Sequence, residues 1–169
     1  IYHDMGDVVK PGELLLELED TEFRLAVDEA QRALDLELAK LGLRTPPAPE
    51  FDIKDLPSIR RTEALMRNAA SVRDRYRKLA QGASTEEERE RTETEYSVAQ
   101  ANHQQMILEA QSTLAAVRYR AALLASAQQK LKETKVYAPA PQLSLTTQSK
   151  SIEFVVAQRT ISIGEMVRM

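Results

Sequence analysis

The stretch from Ser84 to Glu133 contains neither proline nor glycine. Fifty residues without a helix breaker, rich in Glu, Gln, Ala, Leu and Arg, predict one continuous helix. Counted from Tyr96, its seam reads Gln100, His103, Ile107, Ala110, Leu114, Val117, Ala121, Leu124, Gln128 and Leu131, with steps alternating four and three. That 3.5-residue period is the mark of a coiled-coil stripe. At about 1.5 Å per residue the rod is roughly 75 Å long. A domain of 169 residues cannot enclose such a rod. The helix is expected to project and to need a partner along its seam.

The partner stands upstream in two pieces. Asp20 or Thr21 can cap a helix that Glu22 favours at its positive end. Its stripe is Phe23, Val27, Ala30, Leu34, Leu38 and Leu41, Gly42 is placed to cap its C-terminus, and the piece closes at Arg44. Pro46, Pro47 and Pro49, with the residues up to Pro57, interrupt the helix. This break, residues 45–57, reads as a loop between helices in preference to a proline-rich recognition segment. Ser58 restarts the helix as its N-cap, and Leu65, Ala69, Val72, Tyr76 and Leu79 carry a heptad stripe up to Gly82. Ser84 and Glu87 then have the spacing of a capping box, followed through the first turn by Glu86, Glu87 and Glu88. Helices over 21–44, 58–82 and 84–133 with a turn at 82–84 predict antiparallel neighbours, and without the break the two arms have nearly equal lengths. Charge agrees with this pairing. Near the turn the outgoing arm is rich in arginine (Arg60, Arg61, Arg67, Arg73, Arg75, Arg77, with Lys78), and the returning arm is rich in glutamate (Glu86, Glu87, Glu88, Glu90, Glu93, Glu95). Opposed charges along a seam set register more than stability.

Both ends of the chain read as strands. Gly6-Asp7 and Pro11-Gly12 are turn signals, and Leu14, Leu16 and Leu18 alternate as one face of a half-buried strand. Beyond Lys135, Val136 to Pro139 is extended and Gln142 to Ser151 is a polar loop. Ile152, Phe154 and Val156 then alternate, and Ile161 to Val167 forms a strand, a glycine turn and a strand. Gly6-Asp7-Val8-Val9 and Gly164-Glu165-Met166-Val167 use the same turn chemistry twice. The expected class is α+β, a long antiparallel helical hairpin inserted between two β-rich halves, residues 1–20 and 134–169.

Composition narrows the function. A net charge of -3 with mixed signs leaves no basic footprint for nucleic acid or an anionic membrane surface. The absence of cysteine removes disulfides and thiolate metal sites and fits an oxidising compartment. No apolar run approaches the ~18 residues of a membrane span. The opening Ile1-Tyr2-His3 is not a signal sequence, so the chain reads as an excised fragment. His103 falls on the seam with His3 at the other end, a polar seam position rather than a metal ligand. No Ser/His/Asp set, metal cluster or phosphate loop is present, so no enzyme activity, cofactor or metal is expected.

Gly6 to Leu15, Thr134 to Pro139 and Ser162 to Val167, set about a heptad hairpin, resemble the periplasmic adaptor proteins, or membrane fusion proteins, of tripartite efflux pumps and type I secretion systems. The resemblance covers nearly the whole chain and implies that the β-rich halves form a lipoyl-like (barrel-sandwich hybrid) domain. It implies no catalysis, but a bridge from an inner-membrane transporter, ABC-type by the hairpin's length, to an outer-membrane channel. The protein would be periplasmic and anchored in the inner membrane, and its copies would associate as a ring of six. In that family an Arg, a Leu four residues on and a Ser past the turn engage the channel, and Arg75, Leu79 and Ser84 are similar. Three departures stand out. The interval from Leu79 to Ser84 is two residues shorter than in pump adaptors, the polar run 142–151 replaces an Asp-Gly turn, and prolines divide the outgoing arm as in secretion adaptors. A structural coiled-coil protein without a transporter is the alternative. A lipoyl or biotinyl carrier is disfavoured because Asp20-Thr21-Glu22 stands where such a carrier needs its lysine.

Overall fold

The structure, a computed structural model, describes residues 1–78, 85–139 and 153–165. Three helices dominate: α1 (Thr21–Leu41), α2 (Pro57–Lys78) and α3 (Glu86–Glu133), of 21, 22 and 48 residues. The described strands are β1 (Val8–Val9), β2 (Leu14–Glu17), β3 (Lys135–Tyr137) and β4 (Phe154–Val155). They form two separate two-stranded antiparallel sheets, β1 with β4 and β2 with β3. The expected α+β class with a β-rich lipoyl-like domain is therefore corrected: the chain is mostly helical, and its described strands are two to four residues long. Turns recur too closely for longer ladders. Those at 4–7 and 10–13 confine β1 to two residues, and the polar run 142–151 lies outside the described residues.

Two compact units are present, one formed by 1–29 with 125–169 and the other by 30–124. In the first, three turns share one construction. Glycines 6, 12 and 164 take φ of 91°, 78° and 85° in the third position, where a side chain would be strained. The fourth residue is acidic and closes the turn twice. The backbone N–H groups of Asp7, Glu13 and Glu165 donate to the carbonyls of Asp4, Lys10 and Ser162 at 3.1, 3.1 and 3.2 Å. Their carboxylates accept from the N–H groups of the same three residues at 2.7, 2.8 and 2.9 Å. The β2–β3 ladder carries a bulge at Leu15, whose carbonyl accepts from Tyr2 N–H at 3.0 Å. That extra residue breaks the expected alternation and leaves Leu14, Leu15 and Leu16 all half-buried. Lys135 Nζ lies 3.2 Å from Glu17 across the ladder, and its hydrogen bond to that carboxylate raises the ammonium pKa above its ordinary value.

In the second unit the core lies where α1, α2 and the chain between them meet α3. Leu34 and Leu38 bury against Val117, with Leu41, Leu43, Ala121 and Leu124 around them. Helix α1 ends in a Schellman motif: Gly42 at φ 69° donates to Ala39 and Leu43 donates to Leu38, each at 3.0 Å. The proline-rich break then folds back into the core. A single 3₁₀ turn, Ile53–Asp55, is capped by the Asp52 side chain, which accepts from Lys54 N–H at 2.9 Å. The turn places Leu56 and Ile59 against Ala110, with Phe51, Ile53, Met106 and Ile107 packed around them. Pro57, not Ser58, opens α2: it is the first helical residue, and the Leu56 carbonyl accepts from Arg60 N–H at 3.0 Å.

The seam departs from its sequence reading at several positions. On α2, Leu65 is 56% exposed, and Met66 takes the inward place in a row of Ile59, Thr62, Met66, Ala69, Arg73 and Tyr76. On α3, Gln100 and Gln128 are exposed, and Ala99 and Ala127 face inward beside them. The capping box of α3 uses Thr85 and Glu88, with Thr85 N–H to Glu88 Oε2 at 2.8 Å and Glu88 N–H to Thr85 Oγ1 at 3.2 Å.

Two outcomes follow for denaturant unfolding. Leu56→Ala is expected to lower stability by about 2–5 kcal/mol, whereas Leu65→Ala stays within about 0.5 kcal/mol; equal losses would restore Leu65 to the seam. Thr85→Ala is expected to cost about 0.5–2 kcal/mol through the lost cap.

Candidate functional site

The candidate surface is the end of the α2–α3 pair formed by residues 60–78 and 86–103. The helices run antiparallel, as cross-pairs at successive heights show. Thr62 Oγ1 meets His103 Nδ1 at 3.0 Å, the Arg73 guanidinium lies 3.9 Å over the Tyr96 ring, and Arg77 Nη2 meets Glu93 at 2.8 Å. His103 is thus a half-buried seam residue with a hydroxyl partner.

Arg73 occupies a seam position that the sequence reading gave to its neighbour Val72. It lies flat on Tyr96 and donates twice to Asp74 Oδ1, at 2.9 and 2.7 Å. These hydrogen bonds hold its pKa above the usual arginine range, so its charge is fixed at any physiological pH. Cation–π contacts contribute about 0.5–2 kcal/mol, and the planar guanidinium adds orientation that a lysine would not. The clue in the sequence was the register step from Ala69 through Arg73 to Tyr76, four and then three.

Directly opposite the seam, α2 presents Arg60, Arg61, Arg67, Arg75 and Lys78 at spacings that place them on one exposed face. Arg60 pairs with Asp55 at 2.6 Å and Arg67 pairs with Glu63. Among the described residues, the side chains of Arg61, Arg75 and Lys78 have no hydrogen bond or ion pair. Arg67, Ser71, Asp74, Arg75 and Lys78, with Ala70, line a shallow groove of about 550 Å³. The face of α3 turned from the seam is acidic: Glu87 and Glu90 are exposed, the Glu87 charge acting on Arg91 of the same helix and Glu90 having no side-chain hydrogen bond or ion pair among the described residues.

Of the three residues singled out from the sequence, Arg75 therefore lies exposed on the cationic face of α2. Leu79 and Ser84 lie outside the described residues. The expected charge pairing between the arms is met at Arg77–Glu93, while Arg67–Glu63, Arg73–Asp74 and Arg91–Glu95 pair within their own helices. Sequence reasoning missed that the proline-rich segment reaches α3: Arg118 donates to the Pro49 carbonyl at 3.4 Å.

A double-mutant cycle on Arg77 and Glu93 is expected to give a coupling of about 0.2–1 kcal/mol that shrinks with added salt. Arg75→Ala alone is expected to leave stability within about 0.5 kcal/mol; a larger loss would show that Arg75 has a structural partner. No protein-family model matches this chain, and no curated protein matches it either.

Proposed function

We propose that this chain is part of a periplasmic adaptor that bridges an inner-membrane transporter, of the ABC type, to an outer-membrane channel, and that the end of the α2–α3 pair docks on the channel. The observation that carries the reading is the cationic outer face of α2. Arg61, Arg75 and Lys78 stand exposed with no ion pair among the described residues, and Arg75 occupies the position at which the resembling family contacts its channel. Unengaged arginine is suited to bidentate contacts with carboxylates or backbone carbonyls of a partner. The role is mechanical and involves no bond-making at this surface. The full-length protein would be anchored in the inner membrane and face the periplasm.

The same electrostatics support self-association in a ring. The unpaired cations of α2 and the exposed carboxylates Glu87 and Glu90 of α3 occur at the same end of the pair on different helices. Unlike faces that complement each other favour head-to-tail contacts, which close into rings; the resembling family forms rings of six.

The test is export by cells carrying full-length protein with Arg75→Glu and Leu79→Ala together. Export is expected to fall to background while circular dichroism shows unchanged helix content. Normal export by this double variant would overturn the docking assignment.

A further inference from the structure

In the unit formed by residues 30–124, buried apolar side chains are unevenly distributed along the paired helices. Leu34, Leu38, Leu56, Ile59, Ala110, Leu114 and Val117 are all buried at one end. Beyond Ile59 on α2, and before Ala110 on α3, the one buried side chain among the described residues is Thr92, whose hydroxyl donates to the Arg89 carbonyl of its own helix at 3.0 Å. The apolar seam residues there, Met66, Ala69 and Ala99, are only half-buried, and the specific contacts that join the helices are polar or aromatic: Thr62 with His103, Arg73 with Tyr96, Arg77 with Glu93. Each is specific in register, and none removes much apolar surface from water. Helices in proteins owe most of their stability to packing of an apolar face, so this half rests on a much weaker foundation than the other.

The chain break lies inside the apolar half: α1 ends at Leu41, and α2 begins at Pro57, whose first turn is fixed to α3 through Leu56 and Ile59 before the helix runs on into the polar half. Residues beyond Ile59 can part from α3 without disturbing Leu34, Leu38 or Val117. We infer that residues 62–78 and 86–103 open and close as a unit separately from the apolar half, with the Arg73–Tyr96 stack as the clasp that holds them shut. The Arg75 surface is then carried on the segment of lowest stability in this unit, which is where regions that rearrange on binding are drawn from. The inference stands apart from the docking reading, because the opening is a property of the free chain.

Hydrogen exchange followed by mass spectrometry on the full chain, without any partner, tests it. Backbone amides at 64–76 and 90–102 are expected to exchange at least about 100-fold faster than those at 32–40 and 110–120. Tyr96→Ala is expected to accelerate the first group about tenfold further and to leave the second unchanged. Arg73→Lys, which keeps the charge but loses the planar face, is expected to act like Tyr96→Ala, and Tyr96→Phe, which keeps the ring, to remain within about threefold of the unaltered protein. Equal protection of the two groups, or acceleration by Tyr96→Ala spread evenly over both, would overturn separate opening. An Arg73→Lys variant indistinguishable from the parent would overturn the clasp.

Discussion

Leu56 and Ile59 pressed against Ala110 are the contact on which the helical part of the molecule depends. A long helix with one apolar stripe is stable only if that stripe is covered, and the covering arm here is interrupted. The interruption does not leave a hole, because the segment between α1 and α2 supplies its own apolar residues. Phe51, Ile53 and Leu56 fill the space between the end of α1 and the first turn of α2, and Leu41 and Leu43 border both clusters. Gly42 ends α1, Pro57 opens α2, and the 3₁₀ turn between them aims Leu56 inward.

A second economy runs through the chain. Asp7, Glu13, Glu88 and Glu165 each return a carboxylate to the backbone N–H three residues earlier. In three cases the result is a glycine turn and in the fourth a helix start. The chemistry is the same: a charged acceptor satisfies a donor that the local backbone cannot. These acids are committed locally, which separates them from Glu87 and Glu90.

Much of the helical pattern was legible in the sequence, because Pro, Gly and the seven-residue repeat act locally. What failed was the choice between adjacent residues of similar chemistry. Thr85-Glu88 satisfies the capping-box pattern as Ser84-Glu87 does, and Thr85 and Glu88 form such a box, while Ser84 lies outside the described residues. Leu65 looked inward because it is apolar, yet the phase set by Ile59 and Thr62 puts Met66 there. Arg73 was invisible as a seam residue because an arginine reads as surface until an aromatic ring is placed beneath it. The β-rich expectation failed for another reason: turn signals and alternating leucines fix where the chain reverses, not how many strands pair. Of the candidate site, the run of basic residues on α2 was legible, while the side of the helix on which Arg75 stands, and the groove beside it, depend on helical phase.

The break between Gly42 and Pro57 also removes a constraint that continuous helical pairs carry. In an uninterrupted helix one inserted residue rotates everything beyond it by about 100° and spoils the seam to its end. Here the rotational phases of α1 and α2 are set separately, by Leu34 and Leu38 on one side and by Leu56 and Ile59 on the other. A change in the length of either helix is absorbed between them, so the two segments can vary independently while α3 remains one unbroken template.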